Sequence, residues 1–101
     1  MNIDGHTITT QPTFETNNVI YFEVNFTDGY GNLITPTGIT YQVKNNSGTQ
    51  MATGTPTNIS TGKYYAQWRP TVEDDYIIKF SGTYISYGIV IRRKFRVQTT
   101  D

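Results

Sequence analysis

The chain of 101 residues contains no cysteine. Disulfides and thiolate metal sites are therefore excluded, and the fold must stand on packing alone. Histidine occurs once, as His6. With no thiol, no second imidazole and no Gly-x-Ser-x-Gly segment, the inventory for nucleophilic catalysis is missing. We therefore expect no enzyme, no catalytic residue, no cofactor and no metal site. Leu33 is the only leucine, and Ala52 and Ala66 are the only alanines. The strongest apolar helix formers are thus nearly absent. No apolar run approaches the roughly 20 residues that a membrane-crossing helix needs, and no membrane partner is expected. Charge of one sign is not in excess: Lys plus Arg and Asp plus Glu both number 8. General polyanion binders carry a basic surplus, so nucleic acid is not an expected partner. Residues 2–13 are polar, without the charged-then-apolar order of an export signal, which suggests assembly in a cytoplasm.

What is present is a vocabulary of strands and turns. Aromatics make up 14% of the chain, led by 8 tyrosines, against 16% charged residues. Disordered segments show the opposite bias. Residues 19–27 alternate, with Ile20, Phe22, Val24 and Phe26 on one side and Tyr21, Glu23 and Asn25 on the other. Period-two alternation marks a half-buried strand. The same reading assigns strands to residues 39–44, 50–53, 63–69, 75–84 and 89–98, with a further one near residues 6–10. Ile59 is the apolar anchor expected of a short segment after residues 54–57. Asn45-Asn46-Ser47-Gly48 is a tight turn, because Asn and Gly tolerate positive φ. Residues 85–88 turn the chain into the last strand. Trp68 and Phe80 are expected core anchors. Tyr76 starts a strand after a polar corner, where immunoglobulin-like folds place a tyrosine that bonds back to the corner backbone. The prediction is an all-β, immunoglobulin-like antiparallel β-sandwich of about seven strands, forming a single domain over residues 1–101 with an ordered core of about 6–98.

Several of these steps together resemble the small, free-standing immunoglobulin-like virion proteins of phages. The shared pattern runs through the apolar strand of residues 19–26, Asp28…Gly31-Asn32, Pro36, the alternating residues 39–43, and the turn at Asn45–Gly48. It continues through Ser60-Thr61-Gly62-Lys63-Tyr64, Trp68-Arg69-Pro70, the acidic corner before Tyr76, and Phe95-Arg96-Val97. The likeness covers residues 14–97. It implies an auxiliary or decoration protein that docks on a capsid surface by a sandwich face or edge. The partner would be the major capsid protein or another virion protein, and the location a virion assembled in the host cytoplasm. The alternative is a carbohydrate- or receptor-binding module of a tail fibre or adhesin, with a glycan at the host surface as its ligand.

The residues supply two candidate contact sets. Residues 91–97 read IRRKFRV. With Phe95 and Val97 facing in, Arg92, Lys94 and Arg96 share the outer face. They either protect a strand from pairing with other chains or dock on an acidic surface. Arg93 falls on the inward phase, so a bulge or a place near the sandwich edge is expected there. Tyr21 and Tyr65 fall on the outward phase of neighbouring strands. They either pair across the sheet or supply an interface. Asp28 to Asn32 has oxygen ligands at alternate positions, as calcium loops do, but lacks the closing bidentate Glu and reads better as a turn. Residues 73–75 read as a solvated acidic corner.

Overall fold

The structure, a computed structural model, describes residues 13–99. It contains eight strands and no helix among them. They are β1 (Thr13–Glu15), β2 (Ile20–Asn25), β3 (Thr37–Asn45), β4 (Gln50–Gly54), β5 (Thr57–Ser60), β6 (Lys63–Trp68), β7 (Asp74–Tyr84) and β8 (Tyr87–Gln98). Five form one sheet in the order β1-β8-β7-β3-β4, and three form the other in the order β2-β6-β5. This is the immunoglobulin-like sandwich that the alternation predicts. One pairing departs from the antiparallel rule: β1 runs parallel to β8, with Phe14 opposite Val97. The strand expected near residues 6–10, and His6 with it, lie outside the described residues.

Period-two burial builds the core from both layers. Ile20, Phe22, Val24, Tyr64 and Ala66 from the three-stranded sheet meet Ile39, Val43, Tyr76, Ile78, Phe80, Phe95 and Val97 from the five-stranded one. Phe95 is the hub of its aromatic part. Its ring lies 5.9 Å from Phe14, 5.0 Å from Phe22, 6.2 Å from Trp68 and 5.6 Å from Tyr76. Those partners come from four other strands, so one side chain joins both layers and β1. Phe80 is fully buried, as expected, whereas Trp68 is only half-buried. Trp68 ends β6 and lays its ring edge against Tyr76 at 4.9 Å rather than filling the middle of the core.

The turns explain several motifs. Tyr76 Oη donates to the Val72 carbonyl at 2.6 Å, which closes the polar corner. Glu73 accepts the Thr99 amide, and Asp74 accepts the Asp75 amide, so this acidic corner caps backbone. Gly62 has φ +74°, and an added Cβ would lie 2.8 Å from the Ile34 carbonyl oxygen. Its own carbonyl accepts the Phe26 amide, which locks the β5–β6 turn to the β2–β3 loop. Only glycine fits both demands. Arg69 and Pro70 hold the β1–β2 turn through the Asn17 carbonyl and amide.

Two expectations are corrected, and for Arg93 the structure decides between the two alternatives. Ile59 does not anchor the core; it is 46% exposed. It lies on the edge strand β5, where a register shift between Asn58 and Ser60 makes it the unpaired extra residue. Arg93 sits in no bulge, because the β7–β8 ladder runs unbroken from Asp74↔Val97 to Tyr84↔Tyr87. Its guanidinium instead leaves the core at the sandwich margin and donates to the Glu23 carbonyl at 2.9 Å. The last turn is shorter than residues 85–88. Only Ile85 and Ser86 are unpaired, both with positive φ, and the strand resumes at Tyr87. A two-residue turn with two left-handed residues matches the twist of its flanking strands.

Truncation should rank the core. Phe95→Ala should cost about 3–5 kcal/mol, and half-buried Trp68→Ala about 2 kcal/mol. Tyr76→Phe, which loses one hydrogen bond, should cost about 1 kcal/mol. Urea melts of the three variants check the order; equal losses for Phe95 and Trp68 would contradict the hub.

Candidate docking faces

Strand phase decides what each sheet shows to solvent. On the five-stranded sheet the buried set Tyr76, Ile78 and Phe80 turns Ile77 and Lys79 outward. Phe95 and Val97 likewise turn Arg92, Lys94 and Arg96 outward, as the sequence predicts. Ladder register then adds two cations that sequence reading left out. Lys79 stands directly opposite Arg92, and Lys44 directly opposite Ile77, whose other neighbour is Lys94. Across β3, β7 and β8 this makes the rows Gln42–Lys79–Arg92 and Lys44–Ile77–Lys94. Neither lysine stands out in the sequence: Lys44 precedes a turn and Lys79 sits between apolar residues. Only the pairing of distant strands brings them together.

The face is strongly one-signed. It carries Lys44, Lys79, Arg92, Lys94 and Arg96 out of 8 basic residues in the chain. Its acids among the described residues are Asp75, whose Oδ1 lies 3.0 Å from Arg96, and Glu15 on the edge strand β1. Arg96 is therefore engaged within the chain and is the weakest docking candidate of the predicted trio. Lys79 opposite Arg92 is a like-charge pair, which costs sheet stability. Beside the Asn45–Thr49 turn the face dips into two adjoining depressions, of about 290 and 250 Å³, that share Asn45, Asn46 and Ile77 in their linings. Lys44, Lys79 and Arg92 border the first, and Lys94 and Asp75 the second.

The two predicted tyrosines lie on the other layer. Tyr21 on β2 and Tyr65 on β6 stack with ring centroids 4.9 Å apart and planes 21° from parallel. Register sets Glu23 opposite Tyr65 and Gln67 opposite Tyr21. Tyr21 Oη donates to Glu23 at 3.5 Å. Desolvation first, then the charge of Glu23, pushes the Tyr21 phenol above its ordinary value. The predicted contact residues thus belong to two faces: Arg92, Lys94 and Arg96 on the five-stranded sheet, Tyr21 and Tyr65 on the three-stranded one. They do not form one site.

A third exposed region gathers at one end of the sandwich. Gly82 near the β7–β8 turn packs against Pro36 of the β2–β3 connection and Ile39 at the start of β3, so the two loops leave the body together. Tyr30 is 92% exposed, Ile85 71% and Tyr87 74%. Holding isoleucine at φ 48° is strained by roughly 1–2 kcal/mol. The Asp28 loop itself is a plain turn. Its carboxylate accepts the Tyr30 and Asn32 amides at 2.8 and 3.0 Å, and no cluster of metal-binding side chains occurs among the described residues.

No protein-family model and no curated protein matches this chain.

The Asp28 turn predicts an acid response. The backbone amides of Tyr30 and Asn32 hold its carboxyl below the ordinary 3.8. Its folded pKa is depressed, so its contribution is complete above the unfolded value and is lost as pH falls through the lower, folded one. NMR of the Tyr30 and Asn32 amides should follow that loss below about pH 4. Asp28→Asn keeps an acceptor and should remove the acid dependence.

Proposed function

We propose that this chain is a docking module of a phage particle, an auxiliary or decoration protein that lays its five-stranded face on an acidic protein surface. The placement of Lys44, Lys79, Arg92 and Lys94 on one open sheet face carries this reading. Edge protection is the competing account of such cations. It suits Arg92 and Lys94 on β8, where β1 covers only Arg96 to Gln98. It does not suit Lys79 or Lys44, because β7 and β3 are interior strands with a neighbour on each side. Cations on interior strands, with a like-charge pair among them, protect no edge. A positive field over this face would steer an acidic partner into register and be weakened by salt. The virion assignment adds the likeness over residues 14–97 to this geometry.

Mass spectrometry of purified particles should find the chain in stoichiometric amount, and its absence from them rejects the assignment. Arg92→Glu with Lys94→Glu should lower particle occupancy, more at low salt than at high salt, while the melting point stays at or above the wild-type value. Unchanged occupancy would mean that another face docks.

A second reading has its own observation. The Tyr21–Tyr65 stack has an acid and an amide as its register neighbours, Glu23 and Gln67. Aromatic area beside polar acceptors suits a carbohydrate, as in a fibre or adhesin module. A glycan array decides it: binding that disappears in Tyr65→Ala supports this reading, and a blank array removes it.

A further inference from the structure

The basic face is not uniform, and its centre specifies more than charge. Ile77 is 36% exposed in the middle of it, between Lys44 on one neighbouring strand and Lys94 on the other. Lys79 is two residues along the same strand, about 7 Å away by strand geometry. Arg92 adds a cation from β8, while Asp75, two residues back from Ile77, borders the remaining side and pairs with Arg96. Ile77 also lines both depressions, where the Asn45–Gly48 turn stands beside them. An apolar side chain flanked by cations on three sides is the arrangement of an interface with a dry centre and a charged rim.

We propose that this trough binds an acidic protein segment in which one apolar side chain is flanked by carboxylates. The apolar side chain covers Ile77. The carboxylates lie over Lys44 and Lys94 on either side, and over Lys79 and Arg92 beyond. The inference rests on the docking reading above and names the chemistry of the partner at that same face. Charge complementarity selects an anion. The apolar centre selects a protein over a nucleic acid, because single strands are held by stacking on exposed aromatic rings. The exposed tyrosines lie elsewhere: Tyr21 is on the opposite layer, and Tyr30 and Tyr87 are in or next to the end loops. The paired charges Lys79 and Arg92 add a second mark. They repel each other in the free protein, and a bound carboxylate would relieve that repulsion.

The test is an amide NMR titration of the full chain with three probes of matched charge. The first is a short peptide with one leucine between glutamates, the second the same peptide with serine for leucine, and the third a dT oligomer. The leucine peptide should bind tightest and shift the amides of Lys44, Ile77, Lys79, Arg92 and Lys94. Ile77→Thr should reduce it to the level of the serine peptide. Lys79→Glu with Arg92→Glu should weaken both peptides by at least about tenfold. Lys79→Thr should weaken binding yet raise the melting temperature, with the larger rise at low salt, as removal of a like-charge contact requires. The proposal is overturned if the dT oligomer binds as tightly as the leucine peptide. It is also overturned if leucine and serine peptides bind alike, or if the shifts fall on another face. These outcomes do not depend on finding the chain in particles. Peptide binding by a chain absent from virions removes the virion assignment and keeps the site, whereas a particle-bound chain blind to the peptides removes the site alone.

Discussion

The packing of Phe95 fixes everything that the outer surface can present. Its ring touches Phe14, Phe22, Trp68 and Tyr76, so β8 cannot slip against either layer without breaking the largest aromatic cluster in the protein. Side chains alternate strictly along a strand, and a one-residue slip would exchange every inner and outer position. With Phe95 inside, Arg92, Lys94 and Arg96 have no choice but to face water. The Tyr76 hydroxyl pins β7 in the same way at its start, and Ile77 and Lys79 follow. The basic face is therefore a consequence of the core, not an independent feature of the surface.

Local pattern carried the fold because local pattern is what period-two burial writes into a sequence. Ile20 to Phe26 and Tyr76 to Phe80 alternate cleanly, and the structure buries the expected members of both. Where the reading failed, the ladder broke or the sheet ended. Ile59 looked like an anchor because it is the one bulky apolar residue in its segment, but a bulge on an edge strand has no inner face to fill. The Ile85–Ser86 turn was placed too broadly because its left-handed residues are not the Asn or Gly that would mark them. Phe14 on β1 escaped notice because a three-residue strand is too short to show alternation. The tyrosine corner was legible, since its position after the acidic residues and before Ile78 fixes both its phase and its partner.

Three of the five cations on the basic face were visible in sequence for a related reason. Arg92, Lys94 and Arg96 share one strand, so alternation alone aligns them. Lys79 joins them through the β7–β8 register, where it pairs with Arg92 13 residues on, and Lys44 through the β3–β7 register, where it pairs with Ile77 33 residues on, a pairing that no local pattern encodes. Net charge is equally silent on this face. Acids and bases are equal in number over the chain, yet several of the acids lie at turns and corners away from this face. Asp28, Glu73 and Asp74 accept backbone amides there. Charge balance over a chain says nothing about charge balance over a face.

A sheet face differs from a loop cluster as a place to build a contact. Loops such as those that carry Tyr30 and Ile85 lose conformational freedom on binding, and that loss subtracts from affinity. Backbone on β3, β7 and β8 is already ordered by ladders on both flanks of β7, so only lysine and arginine side chains remain to be fixed. The arrangement has an opposing cost in the free protein, where Lys79 faces Arg92 across the ladder and neither pairs with a carboxylate among the described residues. Folding alone would favour threonine or glutamate at one of these positions. A sequence that places two cations there on neighbouring strands, around an exposed isoleucine, carries a local instability that an acidic partner would remove. Under the proposed docking, stability and binding oppose each other at Lys79 and Arg92, and such an opposition is what would separate a docking face from a merely solvated one.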